Sequence, residues 1–162
     1  QNFRRYLLKN ISINPFNVIG IKVRTNNNDH IKLVQDMQNL WNKFMAENVS
    51  EKIKNKIDST IYCIYTDYEG DYTKPYLALL GCRVETLNDI PAGLTGKHLN
   101  GGMYIKKTVK GNLFAGIVAE AWKEIWELDI KRTYHADFEI YSINAANPEN
   151  AEVEILVGVE ET

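Results

Sequence analysis

The same order of predicted elements occurs twice along this chain: strand, helix, strand, strand. In the first copy these are a strand at 11–25 with a kink or bulge at Pro15 and Gly20, a helix at about 30–47 and strands at 61–65 and 76–84. In the second copy they are a strand at 103–109, a helix at 113–128 and strands at 136–142 and 153–159. The turn-rich segment 88–101 is predicted to be the loop that joins the copies. The chain is therefore predicted to be a duplicated βαββ unit.

This duplication narrows the fold class. The chain has 162 residues, of which 44% are hydrophobic, so one domain over 1–162 with pseudo-repeats at about 11–86 and 101–160 is expected. Neither unit buries its sheet face and helix well alone. We therefore predict an α+β fold in which two βαββ units are related by a pseudo-twofold axis. An antiparallel sheet carries the helices on one face, and a ligand groove lies at the junction.

Composition excludes several classes of protein. A net charge of −2 argues against direct nucleic-acid binding. No apolar run reaches membrane-spanning length and the first residues do not resemble a secretory signal, so a cytoplasmic protein is expected. Cys63 and Cys82 are predicted to be reduced. Metal-ligand spacing and nucleotide-binding motifs are missing from the sequence, so no metal or cofactor is expected.

Residues 136–141 carry the sharpest candidate for a functional group. Small or apolar side chains alternate with polar ones, so Phe138 and Ile140 are expected to face the helices. Glu139 then shares the groove side with Asp137 and Tyr141. A carboxylate in such a groove requires a cationic or hydrogen-bonding partner. Two plainer interpretations stay open: a solvated sheet edge, and an ion pair with Lys131 or Arg132.

Aromatic residues are the second candidate set. Trp41 and Trp122 occupy equivalent places in the two predicted helices, where packing in the core is the more frequent role. Tyrosines on strands are better candidates for a pocket wall, because a phenol combines an apolar ring with a polar end. Of these, Tyr65, Tyr104 and Tyr141 are the leading candidates.

Several sequence blocks resemble the GyrI-like effector-binding family. The blocks are residues 64–72 (IYTDYEGDY), 76–84 (YLALLGCRV), 90–93 (IPAG), 120–126 (EAWKEIW) and 132–141 (RTYHADFEIY). They occur in the family's order, and the resemblance runs from about residue 11 to 159. Within the family, the chain looks most like integron-associated effector-binding proteins and the effector domains of AraC-type transcription regulators.

The resemblance implies a buried glutamate that recognises lipophilic, cationic compounds. Carried onto this sequence, the glutamate is Glu139, with aromatic walls from Tyr65, Tyr104, Trp122 and Tyr141. Trp126 and Phe114 are further wall candidates implied in the same way. Relatives in this family include drug-binding proteins, gyrase inhibitors, ligand sensors and hydrolases of cyclopropane-bearing genotoxins.

Three functions follow as hypotheses. The first is a small-molecule binding module linked to transcription regulation or drug sensing. The second is a hydrolase in which Glu139 and Tyr141 activate water against a strained electrophile in the same pocket. The third is a groove that binds a protein partner. Since the chain opens at Gln1 rather than at a methionine, an upstream DNA-binding domain is also compatible with the sequence.

Overall fold

The computed structural model describes residues 8–161, which form eight strands and three α-helices. The strands are Lys9–Ile13 (β1), Phe16–Thr25 (β2), Ile61–Thr66 (β3), Tyr76–Val84 (β4), Thr95–Leu99 (β5), Gly102–Gly111 (β6), Arg132–Tyr141 (β7) and Ala151–Val159 (β8). The helices are His30–Ala46 (α1), Val49–Lys52 (α2) and Ile117–Trp126 (α3). A 3-10 turn at Leu113–Ala115 precedes α3, and Gly116 at φ 75° joins the two.

All eight strands belong to one antiparallel sheet, in the order β1-β6-β8-β7-β3-β4-β2-β5. This order is symmetric about the β7–β3 pair: β8 corresponds to β4, β6 to β2 and β1 to β5. The predicted duplicated α+β fold with a pseudo-twofold axis is confirmed. The axis passes between β3 and β7, where Cys63 pairs with Glu139. These two residues hold equivalent places in the repeats, each two residues before a tyrosine, Tyr65 and Tyr141.

The break at Pro15 has a larger effect than a kink. The expected strand at 11–25 is two strands, and they lie near opposite edges of the sheet: β1 pairs with β6, whereas β2 pairs with β4 and β5. Because only Asn14 and Pro15 separate them, the sheet must curl until its edges approach. Gly20 causes no bulge, since it lies in regular register opposite Gly81. The expected loop at 88–101 contains β5, which extends the sheet beyond β2.

Curling gives the sheet an apolar inner face. Side chains from all eight strands meet there, namely Ile11, Ile13, Phe16, Val18, Tyr62, Ile64, Leu79, Leu99, Tyr104, Ala136, Phe138, Ile140 and Leu156. The expectation that Phe138 and Ile140 face the helices is therefore wrong. Alternation identifies residues that share a face, but here the sheet itself covers the face that carries Phe138. Burial of these side chains from water stabilises the curled sheet.

The helices lie on the other face, the one that carries Glu139. Helix α1 packs Leu40 and Phe44 against β2, β3 and β4, and α3 packs Ala121 and Ile125 against β6 and β8. Both helices therefore cover one face, as predicted, but it is the face opposite to Phe138. Between them the sheet is open above β3 and β7. Within residues 8–161, no helix is long and apolar enough to cross a membrane.

Candidate functional site

A cavity of about 310 Å³ lies between α1 and α3, above the pseudo-twofold axis. Side chains three and four residues apart on α1 and on α3 form its two sides, and the strands β3, β4 and β7 form its floor. The lining residues are Asn27, His30, Leu33, Val34, Met37, Trp41, Tyr65, Tyr68, Tyr72, Tyr76, Val118, Ala119, Trp122, Lys123, Trp126, Arg132, Glu139 and Tyr141. The groove at the junction is thus on the helix-bearing face of the sheet.

Glu139 is in the floor of this cavity and is only 2% exposed. Three side chains donate hydrogen bonds to its carboxylate. The Tyr65 hydroxyl and the Trp122 indole N–H donate to Oε2 at 2.8 and 2.7 Å, and the Tyr141 hydroxyl donates to Oε1 at 2.6 Å. The two plainer interpretations from the sequence are wrong, because Glu139 is neither solvated nor ion-paired with Lys131 or Arg132.

The carboxylate is therefore a buried acid held by neutral donors. Among the described residues, none forms an ion pair with Glu139. Burial raises the pKa of Glu139, and the hydrogen bonds from Tyr141, Trp122 and Tyr65 offset only part of that effect. Burial also raises the pKa of the Tyr65 and Tyr141 phenols well above the ordinary value, so both stay protonated donors at neutral pH.

The aromatic walls follow the pseudo-symmetry of the fold. The Trp122 ring packs edge-on against Tyr65 at 5.7 Å, and the Trp41 ring packs edge-on against Tyr141 at 4.8 Å. The sequence equivalence of Trp41 with Trp122 therefore corresponds to equivalent contacts. Of these two tryptophans, only Trp122 hydrogen-bonds to Glu139, because the acid occurs in one repeat and Cys63 takes its place in the other.

The connection between β3 and β4 supplies a second layer of rings. Tyr72 stacks on Trp126 with centroids 5.2 Å apart and planes at 13°, and Tyr68 lies 5.4 Å from Tyr76. The amide of Asn27 donates to the Tyr72 carbonyl oxygen at 2.8 Å, which ties this connection to the residues before α1. The rings of this connection are therefore fixed by contacts with α3, with β4 and with the residues before α1.

A second buried acid lies beside the first. Asp137 is fully buried and accepts hydrogen bonds from Arg132 Nη2 at 2.7 Å, the Tyr68 hydroxyl at 2.6 Å and the Gly158 amide at 2.8 Å. Unlike Glu139, it has a cationic partner. Of the two buried acids, Asp137 is thus neutralised by Arg132, whereas Glu139 has no counter-charge among the described residues.

Five of the seven residues predicted for the site come together around the cavity: Tyr65, Trp122, Trp126, Glu139 and Tyr141. Tyr104 does not, because it points to the inner face of the sheet, where it is 4% exposed and packs on Phe138. Phe114 does not either, because it lies in the 3-10 turn before α3, is 78% exposed and is outside the cavity lining. Both placements are corrections to the predicted site.

Sequence reasoning missed a further group of lining residues. Val34 and Met37 follow helical spacing together with Trp41, for which a core role was favoured. Tyr76 lines the cavity because β3–β4 pairing places Ala78 beside Tyr65, with Tyr76 next on the same face. Without the register of the β3–β4 pair, the sequence does not show that Tyr76 lies beside Tyr65.

The fold and the cavity define a small-molecule-binding protein, built from two pseudo-symmetric halves with a ligand-sized cavity between them. The chain belongs to the family of integron-associated effector binding proteins, whose pattern it matches over residues 11–159. This match agrees with the resemblance to GyrI-like effector-binding proteins.

Similar proteins support the assignment. YobU of Bacillus subtilis (strain 168), named as a candidate transcriptional regulator, is 29% identical over 143 residues, which cover 86% of this chain and 89% of YobU. An integron cassette protein from the mobile metagenome of Vibrio cholerae is 28% identical with a TM-score of 0.74, over 94% of this chain and 95% of that one. The structure of SAV2435 bound to tetraphenylphosphonium has the same fold, with 17% identity and a TM-score of 0.76 over 94% and 93% of the chains.

Proposed function

We propose that this protein binds a lipophilic cation in the cavity between α1 and α3 and uses Glu139 to recognise the charge. The observation that carries the proposal is the state of Glu139: a buried carboxylate in an aromatic cavity, with three neutral donors and no cationic partner among the described residues. A buried acid of this kind is costly without a counter-charge. A bound cation would supply that counter-charge.

The walls suit a bulky cation with spread charge. Faces of tryptophan and tyrosine attract cations within about 6 Å of the ring centre. Tyr65, Trp122 and Tyr141 surround the carboxylate, so a cation beside these rings has the negative charge directly behind them. The cavity volume of about 310 Å³ is at the lower end of the range for sites that bind drug-sized molecules.

Tetraphenylphosphonium is a suitable probe, because SAV2435, a protein of the same fold, was solved with it. Titration followed by tryptophan fluorescence should give saturable quenching, since Trp41, Trp122 and Trp126 line the cavity. Triphenylphosphine oxide, a neutral aromatic of similar size, is the control and should bind at least about tenfold more weakly. Equal binding of the two compounds would remove charge recognition from the proposal.

The affinity for the cation should depend on pH, because protonation of Glu139 removes the charge that the cation binds. Its pKa is raised by burial, and the cation binds the ionised form, so protons compete with the ligand. Affinity should therefore be highest above the raised pKa of Glu139 and fall as the pH is lowered through it, by up to about tenfold per pH unit. Titrations between about pH 4.5 and 8 measure this. The His30→Gln variant, which removes a histidine that lines the cavity, is the control, and a flat profile for the unmodified protein would contradict the prediction.

Two tyrosine variants test the placement of the site. Tyr65→Phe removes one of the three hydrogen bonds that favour the ionised form of Glu139. The acid is then protonated more readily, so the affinity for tetraphenylphosphonium at neutral pH should fall by about threefold to tenfold. Tyr104→Phe is the matched control on the opposite sheet face and should leave the affinity unchanged. The reverse ranking, with the larger loss in Tyr104→Phe, would mean that the ligand binds elsewhere.

We further propose that ligand binding serves transcription regulation or drug sensing, in line with the name given to YobU. Hydrolysis is the alternative use of the same cavity. It is favoured by the raised pKa of Glu139, which moves the carboxylate toward the range of a general base. Incubation with a cyclopropane-bearing electrophile and mass detection of its water adduct would identify turnover, which Glu139→Gln should abolish.

A further inference from the structure

Arg132 leaves part of its hydrogen-bonding capacity unused at the cavity wall. Its side chain is 5% exposed and lines the cavity. Nη2 donates to Asp137, whereas Nε and Nη1 are buried and find no acceptor among the described residues. Unpaired buried donors are rare in folded proteins and call for a partner. The pairing with Asp137 therefore accounts for only part of this guanidinium.

A β-bulge in β7 sets the position of the Arg132 side chain at the cavity. Residues five apart on a regular strand point to opposite faces, yet Arg132 and Asp137 are in contact. The pairing of β7 with β8 shifts register between these two residues, and Tyr134 within the bulge has φ 55°. Bulges re-aim side chains and are common beside functional sites. Here the bulge turns the guanidinium toward the helix-bearing face.

Aromatic rings flank the guanidinium. Arg132 Cζ lies 4.4 Å from the Tyr134 ring centre and 5.9 Å from the Trp122 ring centre. The same Trp122 indole donates to Glu139, so a single ring separates the two charged groups of the cavity. Because Asp137 neutralises Arg132, the pair does not repel a cation bound beside Glu139.

We propose that Arg132 is a second recognition point of the cavity, which hydrogen-bonds to an acceptor group on the ligand. The ligand class is then a lipophilic cation that also carries a carboxylate, ester or similar acceptor. This inference rests on the proposed binding of cations at Glu139. Because Nε and Nη1 are buried in the ligand-free protein, an acceptor on the ligand reaches one of them through a local shift of the side chains that cover the guanidinium.

Three matched phosphonium probes test the inference: pentyltriphenylphosphonium, carboxybutyltriphenylphosphonium and the methyl ester of the latter. All carry the same cation and the same methylene chain, and only the chain end differs. Both acceptor probes should bind more tightly than the pentyl probe, the carboxylate by about tenfold. In Arg132→Lys, which keeps a positive charge for Asp137 but loses the planar fork, the ratio of carboxylate to pentyl affinities should fall toward one.

The outcomes separate the two proposals. Equal affinity of all three probes for the unmodified protein would overturn the role of Arg132 and leave cation binding at Glu139 intact. Binding of none of them would overturn both. If Arg132→Lys does not fold, the comparison of probes on the unmodified protein decides alone.

Discussion

Replacement of Glu139 by glutamine should lower the affinity for tetraphenylphosphonium by about 30-fold or more, which corresponds to about 2 kcal/mol. The variant keeps the size of the side chain and an oxygen that accepts hydrogen bonds from Tyr65, Trp122 or Tyr141. It removes the negative charge that a bound cation would neutralise. Isothermal titration calorimetry or tryptophan fluorescence gives the dissociation constants.

The same variant should not weaken the fold at pH values above the raised pKa of Glu139. The pKa of Glu139 is raised in the folded protein, so its contribution to stability is fully present below the unfolded pKa and is lost as the pH rises through the folded pKa. Above that raised pKa the ionised carboxylate therefore opposes folding, and Glu139→Gln should there be at least as stable as the unmodified protein. Glu154→Gln, at a partly exposed ion pair with Lys106, is the matched control for binding. Unchanged affinity in Glu139→Gln would contradict charge recognition.

Unlike Glu139→Gln, the replacement of Asp137 by asparagine should greatly reduce the stability of the folded protein. Asp137 is the only acidic partner of the buried Arg132 among residues 8–161, and its removal leaves an uncompensated buried charge. Breaking such a pair costs about 3–5 kcal/mol. For a chain of this length the melting temperature should fall by roughly 10 °C. Urea denaturation measures the change in the free energy of unfolding.

A surface pair provides the control. Lys54 and Asp89 are 3.6 Å apart and more than half exposed, so Asp89→Asn should change the free energy of unfolding by less than about 1 kcal/mol. Combining Asp137→Asn with Arg132→Met should recover part of the lost stability, because the buried charge is then absent as well. Equal stabilities of Asp137→Asn and Asp89→Asn would show that the buried pair does not stabilise the fold.

The sequence predicted the order of elements because hydrophobic periodicity is a local property. The two repeats, the helices and the β3–β4 and β7–β8 hairpins follow from spacing within short windows. The separation of β1 from β2 does not, because Pro15 marks an interruption without showing that the flanking strands pair at different edges. Strand β5 was missed for the same reason: its pairing with β2 is long-range.

The site was predictable in part. Alternation placed Glu139 and Tyr141 on one strand face, and equivalence of the repeats placed Tyr65 with them. The face on which Tyr104 lies depends on the long-range pairing of β6 with β1 and β8, which local spacing does not show, so its assignment to the cavity wall was wrong. The contact of Arg132 with Asp137 depends on a bulge between these two residues, and local alternation does not predict that bulge.

The position of a bound cation in a crystal would show whether the ligand lies beside Glu139. Tetraphenylarsonium has the shape and charge of tetraphenylphosphonium, and its arsenic atom can be located by anomalous diffraction from a crystal of the complex. We expect one arsenic peak inside the cavity between α1 and α3, within about 6 Å of the Tyr65, Trp122 or Tyr141 ring centre. An arsenic peak outside this cavity, with the cavity free of ligand, would contradict this expectation.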